Sequence, residues 1–443
     1  MTITAAGAKP WRMVAPAVVL ALMSTMATAQ NYSDVKSNGP LNLRGYGTFF
    51  VPGTPKTIDS VTANGGGTFF ITLPGGAVMT DQMHVQFMLP QDTKGKKRYP
   101  LGIVHGCCLS SKSWQTTPDG RMGWDEYFVR RGFDTYLIDQ VGRARSGFDP
   151  TKFNAARAGV VPVTAQAPIQ IATDQFAWNV FRWGTTPCNA SPCSATTTPN
   201  PGIKFPMKTV GVGPNSNLQF YNMVIPDLFQ SLSGEPTPAD ASGFYNTPSQ
   251  MAKLAKDLDG AILMGHSQSS AFPTRAALQP AAGCYPWKSE AACKVKGIIQ
   301  LETGCFANLT QAQIKTLKHI PILIVAGDFY TVPQPPASCV TMMNQINGAG
   351  GDMKFAHLPA LVPNALYRGS PGPMPGVEHM MMIGTKNIEV ANLLIGWIDN
   401  HVGRPGKDRD DDHDHHDWDD HHGHHDHHDH DDHRDHDRGH GHH

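Results

Sequence analysis

The hydrophobic residues of this chain fall into short runs separated by polar stretches. Six apolar runs end in Gly, Asp or other turn residues, and segments that can form helices follow most of them. Strands that are buried on both faces of a parallel sheet have this continuous apolar character. The pattern therefore predicts an α/β fold with a mostly parallel sheet and helices on both faces. The runs are "LGIVHG", "FDTYLIDQ", "DGAILMGHS", "KGIIQLETG", "IPILIVAGD" and "MKFAHLP", and the last predicted helix is "NIEVANLLIGWIDNHV".

Two segments depart from this pattern. "GTFFITL" and "MHVQFML" alternate β-branched and aromatic residues near the turn signals "NGGG" and "LPGG", which predicts an N-terminal antiparallel pair of strands. Between Gly147 and Ser249, the chain is rich in Pro, Asn, Thr and Trp and has no clear periodicity. We expect this stretch to be a cap that is inserted over the carboxyl ends of the strands.

The N-terminus has the features of a secretory signal peptide. Lys9 and Arg12 precede an apolar stretch from Met13 to Met26, and Ala27-Thr28-Ala29 forms a small-residue cleavage site. Residues 1–29 are therefore predicted to be removed. A membrane anchor is the alternative, but the apolar stretch is short for a bilayer span. We predict a secreted or periplasmic protein without a stable membrane span.

Charge is unevenly distributed along the chain. Of 37 acidic residues, 14 are aspartates that follow Lys407, whereas only 3 of the 36 Lys and Arg residues lie there. Export and the scattered basic charges of the body argue against nucleic-acid binding. Residues 407–443 also hold 15 histidines, and we expect this tail to be disordered. Its imidazoles and carboxylates suit Zn²⁺, Ni²⁺ or Cu²⁺ at several weak sites, and the alternative is a solvated polar tail.

The chain contains eight cysteines, an even number that suits an exported protein. Two pairs bracket short loops and two further cysteines remain for each other, although eight cysteines allow about 105 connectivities. The last two are neighbours, and a bond between them is strained because adjacent Cα atoms lie about 3.8 Å apart, below the usual disulfide span. The expected bonds are Cys188–Cys193, Cys284–Cys293, Cys305–Cys339 and Cys107–Cys108.

Ser267 is the candidate nucleophile. In "LMGHSQSS" it stands between an apolar strand and a helix predicted over Gln268–Leu278. In a nucleophile elbow, the residues two before and two after the serine must be small, because the strand and helix backbones nearly touch there. Gly265 and Ser269 meet this requirement. The motif alone is weak, but its position favours a nucleophile over a serine that only caps a helix.

A serine nucleophile needs a base, and the base needs an orienting carboxylate. His379 lies between the run "MKFAHLP" and the last helix, where the base is expected, whereas His357 falls inside that run. The alternative for His379 is a packed residue among methionines. Two acids compete for the third role: Asp328 ends the run "IPILIVAGD", and Glu302 ends the preceding one.

Four motifs together resemble those of the secreted bacterial esterases of the α/β-hydrolase superfamily that carry a vicinal disulfide in the active site. They are "HGCCLSSKSWQTTPDGRMGWDEYFVRRGFDTYLIDQVGRARSG", "GHSQSS", "LETG" and "HMMM". The resemblance spans roughly Gly45 to Val402 and leaves out the tail. With the signal peptide and the tail set aside, the α/β-hydrolase catalytic domain is predicted over residues 30–406, with the cap at about 147–249. The residues that it implies are Ser267 as nucleophile, His379 as base, Glu302 rather than Asp328 as acid, and the backbone N–H groups of Cys107 and Gln268 as oxyanion hole.

This resemblance gives the neighbouring cysteines a role. The loop after "LGIVHG" must direct an N–H group at the carbonyl oxygen as it becomes an oxyanion, and a vicinal disulfide can hold the loop rigid. The alternative is that Cys107 and Cys108 bond elsewhere or stay free. Asp139 and Ser146, in "LIDQVGRARSG", are instead predicted to order the turn after their strand.

The predicted function is a secreted serine esterase that hydrolyses small-molecule carboxylic esters through an acyl-enzyme and needs no cofactor for catalysis. A lactonase or polyester hydrolase of the same fold is an alternative. A second class is a metal-binding or metal-scavenging protein on a hydrolase-like scaffold. Labelling of Ser267 by an active-site probe would separate the two classes. The sequence makes no prediction of the acyl or alcohol group, or of the oligomeric state.

Overall fold

A computed structural model describes residues 39–66, 69–166, 168–191, 193, 197–206, 218–228, 247–302 and 304–405. The predicted signal peptide and the His/Asp-rich tail lie outside the described residues. In chain order the strands are β1 Leu43–Val51, β2 Thr54–Ile58, β3 Val61–Gly66, β4 Phe69–Leu73, β5 Gly76–Thr80, β6 Met83–Pro90, β7 Leu101–Val104, β8 Thr135–Ile138, β9 Ile169–Gln170, β10 Asp227–Leu228, β11 Ala261–His266, β12 Val295–Leu301, β13 Ile322–Ala326 and β14 Met353–His357. The helices are α1 Trp124–Arg130, α2 Thr151–Arg157, α3 Asp174–Val180, α4 Leu218–Asn222, α5 Thr247–Asp257, α6 Phe272–Ala277, α7 Gln311–Leu317, α8 Ala337–Gly348 and α9 Asn387–His401.

The central sheet has the strand order β1-β6-β8-β7-β11-β12-β13-β14. From β8 to β14 the neighbours are parallel, whereas β6 runs antiparallel to both β1 and β8. Each of the six apolar runs forms one of the parallel strands, and the last predicted helix is α9, so the predicted fold class is confirmed. The carboxyl ends of the parallel strands meet at one edge of the sheet.

Alternate residues of the central strands pack on opposite faces of the sheet. In β13, Leu323 and Val325 belong to one apolar core, and Ile322 and Ile324 belong to the other. Side chains of α1 and α9 complete the first core, and those of α5 to α8 complete the second. Because β13 is buried on both sides, all of its residues are apolar.

The N-terminal strands are antiparallel, as predicted, but they pair differently. β6, which contains "MHVQFML", pairs with β1, and β4, which contains most of "GTFFITL", pairs with β3. Gly45 lies opposite Leu89, Thr54 opposite Thr80 and Asn64 opposite Phe70. The strand pairs β1–β6, β2–β5 and β3–β4 therefore follow one another in a single antiparallel alignment. Together they form one long hairpin whose innermost described pair is Gly66 and Phe69. The predicted pairing of "GTFFITL" with "MHVQFML" was therefore wrong, although both segments are antiparallel strands.

The segment between β8 and α5 enters the first core through aromatic side chains. Trp183 stacks on Phe205 with 4.1 Å between ring centroids, and Phe220 meets both rings edge-on. The described part of this segment contains α2, α3, α4 and the short two-stranded sheet of β9 and β10. We call it the inserted segment. Its role as a cap stays a prediction.

The structure contains four disulfide bonds, with the pairing that the spacing of the cysteines predicts. The two Cα atoms lie 3.8 Å apart in Cys107–Cys108, 5.5 Å in Cys188–Cys193, 4.0 Å in Cys284–Cys293 and 4.9 Å in Cys305–Cys339. None of the helices in the described ranges is both long and apolar enough to cross a membrane.

Candidate active site

Ser267 lies in the sharp turn that follows β11. Its φ is +56°, in the left-handed region that residues other than glycine rarely adopt. A Cβ on Gly265 would lie 2.1 Å from the backbone oxygen of Ser269, so this position requires glycine. A 3₁₀ turn over Ser267–Ser269 follows, closed by a hydrogen bond from the Ser270 N–H to the Ser267 carbonyl. For this reason α6 begins at Phe272 rather than at Gln268 as predicted.

The structure brings Ser267, His379 and Glu302 into one hydrogen-bonded chain. His379, in the loop between β14 and α9, has its Nε2 2.9 Å from Ser267 Oγ and its Nδ1 2.9 Å from Glu302 Oε2. Glu302 follows β12 directly and has a φ of +67°. A hydroxyl, an imidazole and a carboxylate in this order is the arrangement that a nucleophile, a base and an orienting acid require.

Asp328, the competing acid, points elsewhere. Its two carboxylate oxygens accept hydrogen bonds from the N–H groups of Phe329, at 2.6 Å, and Gly376, at 2.7 Å. It therefore orders the loop that precedes His379, and no hydrogen bond joins it to the imidazole in the described part of the chain. The geometry favours Glu302 as the acid of the triad.

The ring of His379 is held between two other rings. Phe181, from the inserted segment, stacks on it with 4.8 Å between ring centroids and 12° between the planes. His266 meets it edge-on, and the Nε2 of His266 lies 2.8 Å from the carbonyl oxygen of His379. Burial lowers the pKa of His266 to about 3, so this second imidazole stays neutral. These contacts fix the orientation of the His379 ring.

The charge of Glu302 is balanced although its side chain is only 1% exposed. Burial alone would raise the pKa of Glu302, but Arg182 and His379 overcome this effect and hold that pKa below its usual range. Burial lowers the pKa of His379, which Glu302 opposes and Arg182 reinforces. His379 is therefore neutral near pH 7 and able to accept the proton of Ser267.

Arg182 and Tyr330 also contact this carboxylate, and the sequence analysis did not identify either. The Arg182 Nη2 and the Tyr330 hydroxyl donate hydrogen bonds to Glu302 Oε2 at 2.8 Å and 2.7 Å. The N–H of Gly327 donates to Oε1 at 2.8 Å. Arg182 belongs to the inserted segment, which has no periodicity, and no motif marks Tyr330, so only the folded chain reveals their role.

The loop after β7 lies beside the nucleophile. A Cβ on Gly106 would be 3.0 Å from the Cβ of Ser267, which shows how closely the loop backbone approaches the serine. Cys107 and Cys108 follow directly and are joined by the vicinal disulfide. The N–H of Ile225 donates a hydrogen bond to the Cys108 carbonyl at 2.9 Å. The disulfide loop is thus held between the sheet and the inserted segment.

A buried ion pair fixes the side chain of Gln268. Its Oε1 accepts a hydrogen bond from Arg143 Nη1 at 2.5 Å, and its Nε2 donates to Asp227 at 3.1 Å. Arg143 and Asp227 form an ion pair in which both side chains are 0% exposed. Arg143 lies just after β8 and Asp227 belongs to β10, so the pair also joins the start of the inserted segment to its short two-stranded sheet. Arg143 and Asp227 together hold the side chain of Gln268, the residue after Ser267, in one orientation.

Asp139 and Ser146 organise the turn after β8, as the sequence predicts. Asp139 accepts hydrogen bonds from the N–H of Ser111 at 2.8 Å and from Arg145 Nε at 2.7 Å. The Ser146 hydroxyl donates to the Asp139 carbonyl at 2.8 Å and accepts from the N–H of His84 at 2.9 Å. The Asp139 carboxylate and the Ser146 hydroxyl therefore both hold this turn in place.

One group of metal-ligand residue types lies together in the described part of the chain. It consists of Cys107, Cys108 and Asp227, whose ligand atoms lie within 4.8 Å of one another. A metal binds the thiolate of cysteine, and both of these sulfurs are used in the disulfide. In this oxidised form the group has no thiolate to offer a metal.

Three features together define an α/β-hydrolase. They are the sheet covered on both faces, the sharp turn at Ser267, and the hydrogen bonds that link Ser267 through His379 to Glu302. No family model matches the chain. The chain is 32% identical to a bacterial esterase described as novel, whose structure is known at atomic resolution; the match covers 83% of this chain and 99% of that one, with a TM-score of 0.65. The chain belongs to the α/β-hydrolase esterases, enzymes that hydrolyse carboxylic esters.

A second relative is a fungal protein. The chain is 24% identical over 365 residues to the "Probable secreted lipase phiG" of a fungal species, across 73% of this chain and 87% of the lipase. This similarity and the four disulfides fit a secreted protein, as the sequence predicts.

Proposed function

We propose that the enzyme hydrolyses carboxylic esters by a serine mechanism in which Ser267 is the nucleophile, His379 the base and Glu302 the acid. The observation that carries this proposal is the position of His379. Its two ring nitrogens lie 2.9 Å from the hydroxyl and 2.9 Å from the carboxylate. With Nδ1–H donating to Glu302, Nε2 is free to accept the serine proton.

The first half of the reaction forms an acyl-enzyme. As Ser267 Oγ attacks the ester carbonyl carbon, its proton passes to His379 Nε2, and the carbonyl oxygen becomes an oxyanion. The backbone N–H groups of Cys107 and Gln268 donate hydrogen bonds to this oxyanion. When the tetrahedral intermediate collapses, the bond to the alcohol breaks and the leaving alkoxide takes the proton from His379.

The second half of the reaction repeats these steps with water. His379 removes a proton from a water molecule, whose oxygen attacks the acyl carbon. Collapse of the second tetrahedral intermediate releases the carboxylic acid and returns the proton to Ser267. Side chains, two backbone N–H groups and water supply every group that this mechanism uses, so we propose that catalysis needs no cofactor.

The vicinal disulfide is proposed to keep an oxyanion donor in place. Gly106 packs against Ser267 and Ile225 binds the Cys108 carbonyl, so the backbone of Cys107 is held from both sides. A donor that is fixed before the reaction needs no reorganisation as charge develops. Removal of one such donor in a serine hydrolase lowers kcat by about 10²- to 10³-fold.

We propose small-molecule esters as the substrates. Lactones and polyesters contain the same carbonyl–oxygen bond and would follow the same steps, so they stay alternatives within this mechanism. A panel of aryl esters, lactones and polymer films, tested with the purified enzyme, separates them by relative kcat/KM.

Kinetics of the Ser267→Ala variant test the proposal. We expect a folded protein whose turnover of aryl esters is lower by about 10⁴- to 10⁶-fold. Ser289→Ala is a matched control, because Ser289 is exposed in the loop between Cys284 and Cys293 and its hydroxyl contacts only the N–H of Ala292 among the described residues. Activity of Ser267→Ala within about tenfold of wild type would refute the assignment.

A separate proposal concerns residues 407–443. Their 15 histidines and 14 aspartates suit weak binding of Zn²⁺, Ni²⁺ or Cu²⁺, because neutral imidazole and carboxylate are ligands of these ions. The proposed triad lies wholly outside this segment. We therefore propose that metal binding by the tail and ester hydrolysis by the body are independent.

A further inference from the structure

Arg182 reaches the proposed triad from the inserted segment. It follows α3, and its φ of +60° lies in a region that costs free energy for a residue with a Cβ. Its neighbours Phe181 and Trp183 are buried, and Phe181 stacks on His379. Asn200 donates a hydrogen bond to the Arg182 carbonyl at 2.8 Å. This unusual backbone conformation directs the side chain inward, where it is only 13% exposed.

The guanidinium of Arg182 makes four contacts with described residues around the proposed triad. Nη2 donates to Glu302 Oε2 at 2.8 Å, and Nε donates to the carbonyl of Asp328 at 2.7 Å. The guanidinium lies 3.9 Å above the ring of Tyr330. Nη1 is 3.4 Å from His379 Nδ1, and because that nitrogen donates its hydrogen to Glu302, the two groups face each other as donors. Its positive charge therefore acts directly on the imidazole.

From these contacts we infer that Arg182 is a positioning residue, which holds Glu302 ionised and oriented and extends the activity of the enzyme to lower pH. The inference rests on the proposed function of Ser267, His379 and Glu302. In a triad without such a cation, the carboxylate alone acts on the imidazole and favours its protonation. Here a second charge offsets part of that effect, so the base remains unprotonated in more acidic solution.

Other titratable groups lie next to His379 or next to its partner Glu302, and three of them, His266, Glu378 and Tyr330, are neutral at mildly acidic pH. Burial lowers the pKa of His266 to about 3, so it is unprotonated. Burial raises the pKa of Glu378 to about 8, so this carboxyl group is protonated below that pH. Burial also raises the pKa of Tyr330. None of the three changes its charge between about pH 4 and pH 7, because this range lies above the pKa of His266 and below the pKa values of Glu378 and Tyr330.

Few charged groups therefore lie near His379 in the part of the chain that the structure describes. Glu302 and Arg182 contact the imidazole, and the carboxylate of Asp328 is turned toward the N–H groups of Phe329 and Gly376. Among the described residues, the balance between the negative Glu302 and the positive Arg182 then determines how easily His379 is protonated. Removal of the positive charge must raise the pKa of His379, and removal of a neutral donor to the same carboxylate has a smaller effect.

The experiment measures the pH dependence of kcat/KM for wild type and three variants. Arg182→Gln removes the charge, and we expect the acid limb to move upward by about one pH unit or more, since a like charge within about 4–6 Å shifts a pKa by this amount. Arg182→Lys keeps the charge but not the planar geometry, so the limb should move by less than about 0.3 unit while kcat falls. Tyr330→Phe is the matched control, because it removes a neutral hydrogen bond to the same oxygen, and its limb should also stay within about 0.3 unit.

The outcomes distinguish this inference from the function on which it rests. An unmoved limb in Arg182→Gln, or an equal upward shift in Arg182→Gln and Tyr330→Phe, would overturn the role of the charge. If Arg182→Gln does not fold, the pH profile of Arg182→Lys tests the inference instead. An acid limb displaced by about one pH unit in Arg182→Lys contradicts the inference, and an unmoved acid limb supports it. If Ser267→Ala remains active, the proposed function itself fails, whatever the pH profiles show.

Discussion

Replacement of Asp227 by asparagine leaves the buried guanidinium of Arg143 without a counter-charge. Both side chains of this pair are 0% exposed, and water cannot reach the guanidinium in the folded protein. Burial lowers the pKa of Arg143 to about 10 even with Asp227 present, so the side chain is charged at neutral pH. Asparagine has nearly the same shape as aspartate, so the substitution removes the charge with little change in packing.

The expected loss of stability is large for one side chain. Removal of one partner of a buried ion pair costs about 3–5 kcal/mol. For the described residues between 39 and 405, an unfolding entropy of about 2.1 cal/mol/K per residue gives about 0.7 kcal/mol/K in total. The Tm should therefore fall by about 4–7 °C.

Thermal unfolding followed by calorimetry measures this loss. Glu389→Gln is the matched control, because it breaks the Lys386–Glu389 pair, whose contact is 2.7 Å long but whose side chains are both 46% exposed. An exposed pair contributes about 0–1 kcal/mol, so the control should change Tm by about 1 °C or less. Equal shifts in Asp227→Asn and Glu389→Gln would refute the argument that burial makes the Arg143–Asp227 pair critical.

Two further predictions concern the acid and the tail. Glu302→Gln should lower kcat by about 10⁴-fold, because the amide cannot stabilise the imidazolium, whereas Asp328→Asn should lower kcat by less than about tenfold. Steady-state kinetics measure both effects, and the reverse order would assign the role of the acid to Asp328. Deletion of residues 407–443 should abolish most binding of Zn²⁺ or Ni²⁺ in titration calorimetry at pH 7.5 or so and leave ester turnover nearly unchanged. Equal metal uptake by both forms would reject the metal role of the tail.

The parallel strands were predictable because of how they are buried. A strand such as Ile322–Ala326 is covered on both faces, so its sequence is apolar without interruption and differs clearly from that of a surface helix. The N-terminal hairpin was harder to predict. "NGGG" and "LPGG" are both good turns, and the choice between them depends on pairing over the full length from Gly45 to Leu89, which no local pattern contains.

In the candidate site, too, some residues could be predicted from local sequence and others could not. Ser267 and His379 were identified because small neighbours and a position after a strand are local features of sequence. Glu302 and Asp328 end neighbouring strands, and the residues alone did not separate them. The directions in which the two carboxylates point support Glu302 as the proposed acid. Arg182 reaches Glu302 from more than a hundred positions away in the chain, so its role follows from tertiary structure alone.

The central claim is that Ser267 carries the acyl group during turnover. Its most direct test is to incubate the enzyme with an aryl phosphonate that mimics the tetrahedral intermediate, digest the protein and locate the label by mass spectrometry. The account predicts one label, on the peptide that contains Ser267, formed in parallel with the loss of esterase activity and formed far more slowly in His379→Ala. Loss of activity with Ser267 unlabelled, or with the label on another residue, would contradict it.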